Sequence, residues 1–297
     1  MSDTILVTGA SGHLGRAVID HLLETERLPA TRIVAGTRDP AALADLAARG
    51  TAVRQVDFDD AASLPAAFAG IGTLLIISTD ALGEPGKRLR QHQAAVAAAV
   101  EAGVARIAYT SMPNPEPGNP VLFAGDHFGT EQAIKASGVP YTIFRNSWYQ
   151  ENLLMSLPQA IAGGKWYTAS GDGRLAHVGR DDVARAIAAS LATDAAASRT
   201  YTLTGAQALD TEETAALAGQ VLGKPIEVVH LSDDALLAGL TSAGVPAGFA
   251  QLLVSFDANT RAGSISDRTD DVETLSGQAP RTLKSFLEAN RTALVGA

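Results

Sequence analysis

Gly9, Gly12 and Gly15 recur at three-residue spacing between the apolar run Ile5-Leu6-Val7 and an amphipathic run that reaches Leu23. Glycines placed in this way let the chain turn sharply, bring backbone N–H groups against an anion and pack a helix close to its strand. The chemistry this suits is the holding of a pyrophosphate at a helix N-terminus. The expected cradle is the loop Gly9, Ala10, Ser11, Gly12, His13, Leu14 and Gly15. With 28 glycines in 297 residues the spacing alone carries little, and the strand before and helix after are what give it weight.

The run RIVAGTRDP, from Arg32 to Pro40, ends where a dinucleotide fold places its selector of the adenosine ribose. Arg38 stands there, and an arginine suits a 2′-phosphate where an acidic residue would suit a free 2′-hydroxyl. Asp39 directly precedes Pro40 and reads as the cap of the next helix. The expected cofactor is therefore NADPH. Arg16 lies in the first turn of the glycine-loop helix, where the dipole disfavours a cation by about 0.3–1 kcal/mol unless an anion is near. Its partner is either a phosphate or Asp20, one turn on.

Six short runs must supply the strands that position these groups: 5–8, 32–35, 52–56, 73–77, 106–110 and 141–145. Helical runs fall between them, the pattern of a parallel sheet covered on both faces. The third strand ends in Asp57-Phe58, a carboxylate and an aromatic face for an adenine, with Asp59 or Asp60 as the alternative, a helix cap. The fourth ends in Ser78-Thr79 and the fifth in Thr110-Ser111, at the carboxyl edge where ligands of such folds lie. Asn146 follows the sixth, with a carboxamide that can both donate and accept. Trp148 and Tyr149 come next, and Trp166 is the only other tryptophan. Aromatic faces suit a flat conjugated substrate, although either indole could instead pack a small domain onto the sheet. Past residue 145 the alternation weakens; Leu175 to Leu191 followed by TYTLTG reads as one more helix and strand returning to the sheet. The expectation is an α/β Rossmann fold, doubly wound, with a dinucleotide domain over 1–150 and 177–205 and a smaller α/β substrate domain over 151–176 and 206–297.

A formal charge of −9 argues against a nucleic-acid surface. The absence of cysteine excludes disulfides, thiolate metal sites and a cysteine nucleophile. No HExxH, paired-carboxylate or EF-hand pattern appears, so no metal is expected. No apolar run approaches the length of a membrane span, and no leader is apparent, which makes the expected location cytoplasmic.

TGASGHLG, Arg38, the strand ending AYTS, the run DHFGTEQAIKASGVPYTIFRNSWYQENLL and the later GDGR…RDDVARA together resemble the NmrA-like, atypical branch of the short-chain dehydrogenase/reductases. Within it the likeness is to flavin-free NADPH:quinone oxidoreductases and then to triphenylmethane-dye reductases. The resemblance covers nearly the whole chain, and FRNSWYQEN is its most specific part. It implies hydride transfer from NADPH to a quinone-like acceptor by a monomer or homodimer. Two other readings stay open: reduction of a triarylmethane dye or another carbonyl or imine, and a non-enzymatic NADP-binding redox sensor of the NmrA type. Ordinary short-chain dehydrogenases use Tyr-x-x-x-Lys to protonate a carbonyl oxygen, and none of the five tyrosines here has a lysine four residues later. The corresponding helix carries His127-x-x-x-Glu131, in which the imidazole is a candidate donor and the carboxylate its orienter. The alternative is an ordinary helix ion pair between Glu131 and Lys135. His92, matched by a histidine in the resemblance, is expected to face the nicotinamide side. The expected catalytic set is Asn146, Tyr149 and His127, with Trp148, His92 and Trp166 at the substrate.

Overall fold

Alternation of apolar side chains along each short strand decides how the chain is layered. The computed structural model describes residues 3–193 and 197–295. Residues 1–2, 194–196 and 296–297, which fall in the expected spans 1–150, 177–205 and 206–297, lie outside the described residues. The chain begins with β1 (Ile5–Val7), α1 (His13–Glu24), β2 (Ile33–Thr37), α2 (Ala44–Ala48), β3 (Ala52–Gln55) and α3 (Leu64–Phe68). Then come β4 (Thr73–Ile76), α4 (Lys87–Glu101), β5 (Arg106–Ser111), α5 (Ala124–Ala136), β6 (Tyr141–Asn146) and α6 (Leu153–Gly163). They are followed by β7 (Lys165–Thr168), α7 (Arg180–Ala192), β8 (Arg199–Leu203), α8 (Thr211–Leu222) and β9 (Glu227–His230). Helices α9 (Asp233–Ser242), α10 (Ala247–Arg261), α11 (Asp271–Ser276), α12 (Leu283–Ala289) and α13 (Arg291–Val295) complete it.

The main sheet has seven parallel strands in the order β3-β2-β1-β4-β5-β6-β8, the doubly wound Rossmann arrangement. Within β1, Ile5 and Val7 face a core shared with Val18, Ile19 and Leu22 of α1 and Val183 and Ile187 of α7. Leu6 faces the opposite core, with Phe68 of α3, Val96 of α4 and Ile134 of α5. Both faces are therefore buried, which is why these strands read as continuous apolar runs. The strand order reverses between β2 and β4, on either side of β1. That leaves a crevice at the carboxyl edge directly before α1.

A smaller unit packs Leu153 and Leu157 of α6, Leu222 of α8, Phe286 of α12 and Leu294 of α13 beside the two-stranded sheet β7-β9. Strand β8 joins the main sheet, next to β6. Two local expectations are corrected. The helix expected from Leu175 begins at Arg180, because Leu175 and Val178 are extended and bridge to Leu209 and Tyr149 before Gly179 starts the helix. The span 206–297 also does not stay together. Helix α11 packs against the main sheet's layer, with Val272 in the first core and Asp271 accepting from the Thr202 N–H at 2.8 Å. Among the described residues no helix is long and apolar enough to cross a membrane.

The contact between α1 and β1 allows no side chain at Gly15, where a Cβ would lie 2.4 Å from the Gly9 carbonyl oxygen. Gly15→Ala should therefore destabilise the protein by about 1–3 kcal/mol. Gly125→Ala, in α5 with no atom within 4 Å of the added carbon, should be neutral or stabilise by about 0.5–1 kcal/mol. Urea denaturation of the two variants beside wild type checks both, and an unchanged midpoint for Gly15→Ala would refute the close-packing argument.

Candidate active site

The glycine loop is shaped by its backbone. Gly9 has φ +61°, a left-handed conformation open to glycine, and its carbonyl accepts from the Gly12 N–H at 2.9 Å. The Ala10 N–H donates to the Gly36 carbonyl at 3.0 Å, tying the loop to β2. Gly12 starts α1 without any side-chain cap, and the helix has no acidic residue in its first turn. The opening N–H groups, of His13, Leu14 and Gly15, thus face the crevice without an intrahelical acceptor. Ser11, Gly12 and His13 are exposed there, and Ser11 Oγ accepts from Thr37 Oγ1 at 3.2 Å.

Arg38 follows β2 and is exposed, with no hydrogen bond or ion pair among the described residues. Asp39 is already engaged as a helix cap, accepting from the Ala41 N–H at 3.0 Å. Arg16 does not pair with Asp20. Its guanidinium spans both oxygens of Asp45 at 2.5 and 3.0 Å, while Asp20 is taken by Arg49 at 2.5 Å. The physical reason is that α2 lies across from α1, so carboxylates on the neighbouring helix compete with those one turn along. At the end of β3, Asp57 accepts from the Asp59 N–H at 3.0 Å, and Phe58 packs half-buried against the second core. Asp60 stands at the N-cap of the 3-10 turn Ala61–Ser63 but makes no side-chain capping bond, and Asp59 pairs with Lys87 at 3.0 Å and accepts from Gln91.

The ends of β4 and β5 are locked together. The Ser78 N–H donates to Thr110 Oγ1 at 2.9 Å. Thr79 is held by three side chains on one face of α4: its N–H donates to His92 Nε2 at 3.0 Å, its hydroxyl to Gln91 Oε1 at 2.8 Å, and its carbonyl accepts from Arg88 Nε at 2.7 Å. His92 is 0% exposed, and burial pushes its pKa down to about 3. The expectation that it faces an acceptor is corrected, because its Nε2 is occupied by the Thr79 backbone and the ring is enclosed.

His127 is also in the interior, at 3% exposure. Its Nε2 accepts from Arg88 Nη2 at 2.9 Å, which leaves Nδ1 as the N–H facing Tyr109 Oη at 2.8 Å. Burial first, and then the charge of Arg88, push its pKa well below the usual histidine value. The expected His127–Glu131 couple does not form. Glu131 turns instead to Arg145, accepting from Nε at 2.9 Å and Nη2 at 2.8 Å, to Ser111 Oγ at 2.8 Å and to Lys135 Nζ at 3.1 Å. Burial alone would raise the Glu131 carboxyl; the hydrogen bonds from Arg145 and Ser111 outweigh it and hold the group below its ordinary value. The ion pair with Lys135, given as the alternative, is therefore present.

Asn146, the last residue of β6, is 9% exposed. Its Nδ2 donates to Tyr149 Oη at 3.2 Å, and its Oδ1 is buried without a partner among the described residues. The Arg180 guanidinium lies over the Tyr149 ring at 5.1 Å, and burial raises the phenol's pKa. Trp148 packs against Phe256 of α10 at 4.3 Å between ring centroids, and Phe256 meets Phe123 at 5.9 Å. These half-buried rings come from the β6 loop, α10 and the start of α5. The sequence reading missed Phe123 and Phe256, since no local motif ties them to Trp148. Trp166 is corrected: it sits on β7 and packs with the small unit's own core.

An uncapped helix behind a glycine turn, an exposed arginine after β2 and a carboxamide with an open oxygen all stand at the carboxyl edge of a Rossmann sheet. Residues 1–287 match the NmrA-like family, and the chain belongs to it. Quinone oxidoreductase 2 of Escherichia coli is 38% identical over 94% of this chain and 96% of its own. An NADPH-dependent quinone oxidoreductase from Escherichia coli, solved as its NADPH complex, has TM-score 0.90 and 37% identity, covering 96% of this chain and 99% of that one. A Citrobacter sp. triphenylmethane reductase solved with NADP(H) has TM-score 0.89 and 32% identity, covering 97% and 100%. The chain is thus an oxidoreductase of the quinone-oxidoreductase-like kind.

The enclosed histidines carry a pH signature. An unfolded histidine binds a proton below about pH 6.5, whereas His92 stays neutral until about 3, so its contribution to stability is complete above 6.5 and is lost as pH falls below it. His92→Gln keeps an acceptor for Thr79 and removes the titration. In urea titrations from pH 6 to 4 the variant's stability should fall less steeply than wild type's, by about 1.4 kcal/mol per pH unit. Parallel slopes would show that the imidazole is protonated in the fold.

Proposed function

We propose that this chain is an NADPH-dependent reductase that delivers a hydride, without flavin, to a quinone or similar conjugated acceptor. The observation that carries the reading is the buried, unpartnered Oδ1 of Asn146, two residues ahead of Trp148, whose ring meets Phe256 and through it Phe123. A carboxamide acceptor left open costs about 1–3 kcal/mol, a cost a ligand's amide or hydroxyl would remove. The donor set fits NADPH. The open N–H groups of His13, Leu14 and Gly15, in the loop from Gly9 to Gly15, suit the pyrophosphate, Arg38 the 2′-phosphate, and Asp57 with Phe58 the adenine; Ser78, Thr79, Thr110 and Ser111 stand at the strand ends beside Asn146. When bound, the nicotinamide supplies the hydride.

The protein's own contribution is positioning and polarity. The hold on Thr79 and the Ser78–Thr110 bond make the edge rigid before any ligand arrives. Glu131 with Arg145 stands on α5, where a Tyr–Lys pair would serve an alcohol dehydrogenase, and as a four-contact carboxylate it offers no proton. A quinone asks less of an acid, because its reduced oxygen is stabilised by conjugation and is protonated by water. Tyr149 Oη, bonded to Asn146, is the remaining donor toward a developing oxyanion. Trp148, Phe123 and Phe256 supply stacking faces worth about 0.5–1.5 kcal/mol a pair.

Arg38→Ala should weaken NADPH binding by about 1.5–3 kcal/mol and leave NADH nearly unchanged, as read by fluorescence titration. Equal losses for the two cofactors would make Arg38 structural.

Asn146→Ala and Tyr149→Phe should lower kcat with a quinone more than they weaken NADPH binding, and Trp148→Ala should raise KM for the quinone with folding intact. Stopped-flow loss of NADPH absorbance measures all of them. A wild type that binds NADPH yet turns over no quinone or dye would replace the reductase reading with that of a redox sensor.

A further inference from the structure

Arg88 is 5% exposed, yet no carboxylate comes within ion-pair distance of it among the described residues. Asp126 and Asp80 lie within its field without pairing. Its contacts are neutral: the Thr79 carbonyl, the His127 imidazole and the face of Phe123, 4.8 Å from the guanidinium carbon. Its Nη1 is buried with no partner. An enclosed cation whose counter-charges Asp126 and Asp80 stand off unpaired is costly and is screened little by salt, so its field reaches what lies against Phe123.

The geometry points to Arg88 as the charge that selects acceptors in the aromatic cleft, favouring neutral or anionic quinones over cationic dyes. This rests on the reductase reading. The two acceptor classes change charge in opposite senses. A neutral quinone takes up a hydride and both its electrons to become a hydroquinone monoanion, which water then protonates, while NADPH leaves as NADP+. A triarylmethane cation takes up the same hydride at its central carbon and becomes a neutral leuco dye. A fixed positive charge behind Phe123 therefore stabilises the transition state of the first reaction and opposes binding of the second acceptor. The similarity to both quinone and triphenylmethane reductases leaves this choice open, and the charge inside α4 decides it.

The test compares wild type, Arg88→Met and Arg88→Lys. NADPH affinity is read by fluorescence, and kcat/KM is measured with a neutral naphthoquinone and with crystal violet; where the dye is not reduced, its inhibition constant against the quinone is used. Arg88→Met should lower kcat/KM for the quinone by about tenfold or more, and dye reduction or dye binding should hold steady or improve. Arg88→Lys should keep the quinone-to-dye ratio near that of wild type even if both rates drop. A structural Arg88 would lower both acceptors by one factor, so an unchanged ratio in Arg88→Met, or a lysine variant that behaves like the methionine variant, overturns the proposal. If Arg88→Met does not fold, wild type decides: a sulfonated naphthoquinone should show a lower KM than its neutral parent despite the chain's −9 charge, and an equal or higher KM overturns it. A wild type that binds NADPH but reduces nothing removes the reductase reading, and this proposal with it.

Discussion

The approach of α1 to β1 is the constraint on which the rest of the structure depends. With no Cβ at Gly15, the first turn of α1 rests against the Gly9 carbonyl, and the helix axis is aimed at the crevice where the strand order reverses. Any side chain there would push the helix off the sheet and turn its open N–H groups away from the edge. Helix α2 lies against α1, which gives Arg16 to Asp45, while Arg38 has no hydrogen bond or ion pair among the described residues. The placement of the open helix N-terminus thus depends on a single absent carbon, and the charge pattern beside it follows from the packing around it.

The other half of the edge is organised by buried polar groups. Arg145 and Glu131 tie β6 to α5, Ser111 brings β5 into the same network, and α4 holds the end of β4 through Arg88, Gln91 and His92. Each group satisfies another, so the strand ends stand in fixed register without help from a ligand. Among the described residues, buried side-chain atoms without a partner at these strand ends include Asn146 Oδ1, Ser147 Oγ and Arg88 Nη1, the last on a guanidinium that lies over Phe123. The helix that would carry the Tyr–Lys pair of an ordinary short-chain dehydrogenase here carries His127, enclosed against Arg88 and Tyr109, and Glu131, engaged by four hydrogen bonds.

Much of this was legible in the chain itself. Glycine spacing between an apolar strand and an amphipathic helix, an arginine after the second strand and the regular alternation of runs are local signals, because backbone conformation and strand burial are set within a few residues. Histidines 92 and 127 were misread for the same reason. Their helical spacing is visible in sequence, but whether such a face meets solvent, a cleft or a neighbouring strand depends on residues far along the chain, and both are enclosed by β5 and its flanking helices. Trp166 failed in the same way, as its face packs within the small unit rather than toward Trp148.

The sequence by itself determined the Rossmann class, the glycine turn ahead of the first helix, the arginine after the second strand and the loss of the Tyr–Lys pair, since each follows from residue type and local spacing. Only the tertiary structure decided who pairs with whom: Arg16 with Asp45, Glu131 with Arg145, His92 with the Thr79 backbone, Phe123 and Phe256 with the neighbourhood of Trp148, and Arg88 with no ion-paired carboxylate among the described residues. Pairing is a competition among all groups brought within a few ångströms, and the winners are set by how distant segments pack, a contest that no local pattern in the chain records.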